Sequence, residues 1–202
     1  MNTKKVTTRF IILIPHRDAG NRLEEYRQKL FSGAVNGAFA FPAAAPLAEV
    51  SRPFSLEELK ELARNIRRLA EENTAANKLK TGGKFVSQAA GVIVKTGQMS
   101  FFGPALNFSL SEETFPEPAR GNIIRVLNPP VLCAAAVKSD GENPAENPFY
   151  EPAPPLSFGA AALANLAIRP LASGVFRSEA SGEPDYSYEW KIGARVWLPK
   201  TK

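Results

Sequence analysis

The chain has 202 residues with 44% hydrophobic and 22% charged side chains, enough to bury roughly 70% of its unfolded surface in one core and too balanced for a disordered segment. It holds one histidine (His16), one cysteine (Cys133) and only Asp18, Asp140 and Asp185 as aspartates, so an intrachain disulfide, a Cys/His zinc site, a calcium loop and two-histidine acid–base chemistry are all excluded. A net charge of +5 permits phosphate or nucleic-acid binding without the dense basic stripe of a dedicated binder.

Lys4 and Lys5 precede an apolar run too short for a signal peptide, and no segment approaches the roughly 18 apolar residues of a membrane span; a cytoplasmic protein without membrane contact is expected. Phe10–Ile14, β-branched and closed by Pro15, reads as a buried central strand. Asp18 or Asn21 then caps a helix with Leu23, Tyr26, Leu30 and Phe31 on one face and Gly33 as its stop. Ala38–Pro42 and Leu47–Val50 are short extended pieces. Ser55-Leu-Glu-Glu58 is a capping box, and Leu56, Leu59, Leu62, Ile66 and Leu69 follow at helical spacing, which predicts a helix over Leu56–Asn73 with Lys60, Arg64, Arg67 and Arg68 on its other side.

From Gly82 the pattern turns to strands: Phe85–Val94, a turn at Thr96-Gly-Gln, Met99–Phe108, Ile123–Leu127 and Val131–Val137, an antiparallel sheet in the middle of the chain. Ser111–Asn122 is acidic and turn-rich. Lys138–Ser157 carries Pro144, Pro148, Pro152, Pro154 and Pro155 and reads as a long loop, a candidate contact for a protein partner. Tyr186–Leu198 resumes strand character, with Gly193 at a bulge or turn. Helices on a largely antiparallel sheet define an α+β class.

An internal echo links two of these pieces. Phe41–Phe54 and Phe158–Leu171, offset by 117 residues, share six of fourteen positions, and both end an apolar strand in Arg-Pro (Arg52-Pro53, Arg169-Pro170). The offset suggests two related lobes rather than a short-period repeat.

A strand, a helix, a strand ending in Ser-Arg-Pro-Phe and a capped helix, with the second motif strand late in the chain, resemble the 2H phosphoesterase superfamily, which includes 2'-5' RNA ligase-like proteins and cyclic nucleotide phosphodiesterases. The resemblance implies one bilobal, pseudo-symmetric α+β domain over residues 1–202, each lobe contributing a His-x-Thr/Ser strand to a central cleft. Counted back from Arg52-Pro53-Phe54, the first His and Thr/Ser positions fall on Leu47 and Glu49; by the echo, the second pair falls on Ala164 and Leu166, or on Asn165 after a shift of one. The family reaction needs one imidazole as base and one as acid, and Leu47 and Ala164 supply neither. The resemblance therefore implies a scaffold without the reaction, binding a nucleotide or RNA-end phosphate without hydrolysis and without metal or other cofactor.

Arg52 and Arg169 could bracket a phosphate, since guanidinium forks match phosphate oxygens, with surface ion pairs as the alternative. Glu49, a carboxylate in an apolar strand, and His16, the lone imidazole, are the remaining ligand candidates with Asn165; Glu49, His16 and an arginine would also serve an enzyme of different mechanism in the same cleft. Cys133 reads as a buried thiol. Tyr186, Tyr188, Trp190 and Trp197 alternate along a strand and read as core or sheet surface, base stacking being the alternative. The chain contains no P-loop, Gly-x-Gly-x-x-Gly or Gly-x-Ser-x-Gly motif.

Overall fold

A computed structural model describes residues 6–17, 20–21, 24–25, 44–77, 91–96, 99–104, 106, 109–128, 130, 135–138, 158–170 and 186–198. The elements are β1 (Val6–Pro15), β2 (Ala45–Val50), helix α1 (Leu56–Asn77), β3 (Gly91–Thr96), β4 (Met99–Pro104), a 3-10 turn (Glu112–Thr114), the single helical turn α2 (Glu117–Arg120), β5 (Ile123–Val126), β6 (Ala135–Lys138), β7 (Phe158–Pro170) and β8 (Tyr186–Trp197). The expected α+β class holds. One antiparallel sheet has the order β5, β2, β1, β7, β8, and a second has the order β3, β4, β6.

Strand β1 organises the first sheet. Phe10, Ile11, Ile12 and Leu13 are all fully buried, so both faces of the strand are covered, as a continuous β-branched run requires. The pleat divides its side chains: Ile11 and Leu13 join the core beneath α1, while Phe10 and Ile12 point to the opposite face. β2 and β7 pair antiparallel with the two edges of β1. Residues directly opposite in register share a face, so one row runs Arg125, Glu49, Phe10, Ala164, Ile192 across all five strands.

Two irregularities adjust that alternation. In β2 the register shifts between the residues facing Ile11 and Ile12, and Leu47 is the extra residue. In β8 it shifts between the partners of Ala162 and Ala164, and Gly193 and Ala194 stand opposite Leu163 alone. Of the bulge or turn expected at Gly193, the bulge is what forms; a side chain there would meet the Leu163 carbonyl oxygen at 3.7 Å, an ordinary contact.

Helix α1 starts where the capping box places it and runs one turn past the expected Asn73. Leu59, Leu62, Ala63 and Ile66 are buried against Ile11, Leu13, Ala45, Ala161 and Leu163, whereas Leu56, in the first turn, is 51% exposed. Full burial of each such leucine stabilises the fold by about 1.5–3 kcal/mol. The acidic, turn-rich stretch 111–122 forms the 3-10 turn and α2, and delivers Phe115 and Ala119 to the same core, with Phe115 edge-on to Phe54 at 6.5 Å between ring centroids. Asn65 Nδ2 donates to the Thr114 carbonyl at 3.0 Å and fastens this segment to α1.

Two expectations need correction. β5 was assigned to the middle sheet but pairs with β2, because Ser51 N–H donates to Asn122 O and Leu127 N–H donates to Leu47 O, both at 2.8 Å. The echoing strands were expected one in each lobe, yet β2 and β7 lie in the same sheet: a strand apolar on both faces takes a neighbour on each edge. Of the strand expected over Phe85–Val94, 91–94 lies in β3, and 78–90 lies outside the described residues, as do Cys133, the loop 139–157 and most of the helix expected after β1, of which 17, 20–21 and 24–25 are helical. No helix among the described residues is long and apolar enough to cross a membrane.

Core truncation separates the two kinds of α1 leucine. Leu62→Ala is expected to cost about 2–5 kcal/mol in urea unfolding with an unchanged slope, and Leu56→Ala to cost about 0.5 kcal/mol or less.

Candidate functional site

The residues singled out from the sequence converge on β1 from both sides, but not on one face. Leu47, fully buried, belongs to the core beneath α1 because the β2 bulge turns it that way. Ala164, equally buried, stands opposite Phe10 on the other face, and Leu166, opposite Thr8, shares that face. Leu47 and Ala164 therefore do not look at each other across a cleft. The β2 residue level with Ala164 is Glu49, two strands away with Phe10 between them. Asn165 lies on the α1 side, in the row with Arg9 and Val50.

Glu49 is half-buried, and burial pushes its carboxyl above the ordinary 4.5 while the guanidinium of Arg125, its neighbour on β5, acts in the opposite sense. His16 is exposed, just past the end of β1. Six residue steps of extended strand separate it from Phe10, the partner of Glu49, a distance of roughly 20 Å. The fold therefore does not assemble Glu49 and His16 into one acid–base pair, which a proton relay through direct or single-water contact would require.

Arg52 is held by the protein itself. Its guanidinium forms a two-pronged ion pair with Glu58, Nη2 to Oε1 at 2.7 Å and Nη1 to Oε2 at 3.1 Å, and also donates to the carbonyls of Pro53 at 2.9 Å and Pro118 at 3.3 Å. Glu58 is at the same time the N3 residue of the α1 capping box: it accepts from Ser55 N–H at 2.6 Å, and its own N–H donates to Ser55 Oγ at 3.2 Å. One carboxylate thus caps the helix and clamps the exit of β2, while Arg52 reaches on to α2. A phosphate at Arg52 would have to displace Glu58. Arg169, the other arginine expected to bracket an anion, lies on β7 opposite Ser187. The ion pair given as the alternative for Arg52 is thus what forms; its partner was not identified from the sequence, although Arg-Pro-Phe-Ser-x-x-Glu puts a guanidinium six positions before the N3 carboxylate.

The opposite edge of the sheet is more open. On β8, Trp190 packs against Phe10 with ring centroids 6.1 Å apart, Ile192 is 38% exposed, and Trp197 is 69% exposed with the Arg195 guanidinium 5.9 Å from its ring centroid. By register all four face the same way as Ala164. Among the described residues no group of three His, Cys, Asp or Glu side chains gathers to hold a metal ion.

The two carboxylates have opposite pH signatures. The Arg52 and Ser55 contacts hold Glu58 down at about 2, so its stabilising contribution is complete above the ordinary 4.5 and is lost as pH falls from there through about 2. Glu58→Gln is expected to lower stability at pH 7 by about 1–3 kcal/mol and to flatten that acid limb of a pH–stability curve. Glu49, with its pKa raised, opposes folding once ionised, so Glu49→Gln is expected to leave stability at pH 7 unchanged or slightly higher. In comparisons with known proteins, the chain matches no family model, no curated protein and no solved structure.

Proposed function

We propose that this protein is a 2H phosphoesterase-like scaffold that has lost both motif histidines and binds a nucleotide or RNA-end phosphate without hydrolysing it. The observation that carries the reading is the chemistry of the two strands that flank β1. Both end in Arg-Pro after an apolar run, and the positions where the family places its histidines hold Leu47 and Ala164, each fully buried. Cleavage of a phosphodiester by that family's route needs two groups that exchange protons near neutrality. The one imidazole of the chain lies on neither strand, and Glu49, level with Ala164, offers a single carboxylate. Phosphate binding in this reading falls to Arg169, because Arg52 is occupied by Glu58.

The alternative of an enzyme built on Glu49, His16 and an arginine is disfavoured by the length of β1 that separates the first two. A role for 138–157 in contacting a protein partner rests on its proline content alone.

Two measurements test the proposal. Calorimetry is expected to show saturable binding of adenosine 2'-monophosphate, weakened at least about tenfold by Arg169→Ala. Incubation with 2',3'-cyclic AMP or a 2'-5'-linked dinucleotide is expected to give no turnover above the buffer rate. Turnover by the wild-type protein that disappears in Ala164→Leu would overturn the proposal, because the position would then line a working site.

A further inference from the structure

We propose that the exposed end of β8 is a nucleobase-stacking platform, formed by the Trp197 ring with Arg195 beside it, that takes the base of a nucleotide or of single-stranded RNA. Trp197 lies at the C-terminal end of β8, next to the start of β7 and the end of β1. It pairs with Ala160 in register, and the following residue, Leu198, donates its N–H to Gly159 O at 2.8 Å. The ring is therefore carried on a strand anchored on both sides of it rather than on a loose tail, and yet 69% of the residue is in solvent.

That combination is costly for a stability role. Along the same row, Ala160 on β7 is fully buried, whereas Trp197 beside it is open. A large aromatic left open on a rigid element, with its neighbours already packed, marks a contact surface rather than core.

The chemistry around the ring selects the occupant. The Arg195 guanidinium sits 5.9 Å from the centroid, within cation–π range, and is itself exposed. Gly159 is in contact range of both the Trp197 ring and the His16 backbone: a Cβ there would lie 3.7 Å from Trp197 Cζ3 and 3.4 Å from His16 Cα. The His16 backbone, past the end of β1, thus lies beside the strand next to the ring. An aromatic face with an exposed guanidinium beside it matches a ligand with a flat π-system and an attached anion. A nucleotide has both, and stacking on a tryptophan is tolerant of which base is presented.

The platform rests only on β8 and its neighbours, far along β7 from Arg169, so it stands apart from the phosphate reading above. The test uses the full chain carrying Trp190→Phe, which leaves Trp197 as the sole indole fluorophore, titrated with adenosine, AMP and ribose 5-phosphate. Quenching by adenosine and AMP is expected, and none by ribose 5-phosphate. In calorimetry on the otherwise wild-type chain, Trp197→Ala is expected to weaken AMP at least about tenfold, Trp197→Phe to retain it within about threefold, and Arg195→Ala to weaken AMP more than adenosine. Circular dichroism unchanged from wild type shows that the variants fold. AMP affinity untouched by Trp197→Ala overturns the platform, and if Arg169→Ala removes that affinity the phosphate reading survives alone. Adenosine quenching that Arg169→Ala leaves intact supports the platform whatever becomes of the phosphate site. Quenching by a proline-rich peptide and by none of the nucleosides assigns the ring to a protein partner and overturns the proposal.

Discussion

Burial of β1 on both faces is the constraint from which the rest of the larger sheet follows. A strand whose consecutive residues Phe10, Ile11, Ile12 and Leu13 are all removed from water has no face left for solvent and no edge that can stay unpaired. It must acquire a hydrogen-bonded neighbour on each side, which β2 and β7 supply, and a cover on each face, which α1 supplies on one. The alanines of β7 suit that position: Ala160, Ala161, Ala162 and Ala164 are all fully buried, and small side chains let a second interior strand pack without adding bulk to either face.

The clamp at the start of α1 shows how one carboxylate can decide what a nearby cation is available to do. Glu58 accepts from a backbone amide and from a guanidinium at once, and the guanidinium spends its remaining reach on two carbonyls from different segments. An arginine satisfied in this way is a structural tie between β2, α1 and α2. An exogenous anion would gain one charged partner there and leave a carboxylate without its own, a poor exchange.

Much of this architecture could be read from residue patterns because the relevant signals are local. Phe10–Ile14 is unmistakable as an interior strand, and Ser55 to Glu58 marks the start of α1 to the residue, since the capping box is a contact between positions three apart. Gly193 as a bulge was legible for the same reason. Non-local pairings were not. Nothing within Ile123–Val126 states that it will join β2 rather than the strands around it, and the turn-rich composition of 111–122 concealed Phe115 as a core residue. The site suffered most from the β2 bulge. Spacing alone puts Leu47 and Glu49 on one face, and a single extra residue in the ladder places Leu47 in the core under α1, a displacement that depends on the partner strand and so is invisible in either sequence segment.

The β8 bulge has a related consequence. With Gly193 and Ala194 sharing the place of one residue, Trp190 and Ile192 on one side and Arg195 and Trp197 on the other come to look the same way although the spacing between the pairs is odd. The strand is in effect two half-strands in opposite phase, joined at a glycine. An unbroken ladder through the same residues would turn one half by 180° and send either Trp190 and Ile192 or Arg195 and Trp197 to the α1 side, whereas loss of one residue at the joint would leave Ile192 and Arg195 two apart and still on one face. The continuity of that surface thus depends on the bulge absorbing one surplus residue, so that it tolerates a shorter joint but not a flattened one of the same length.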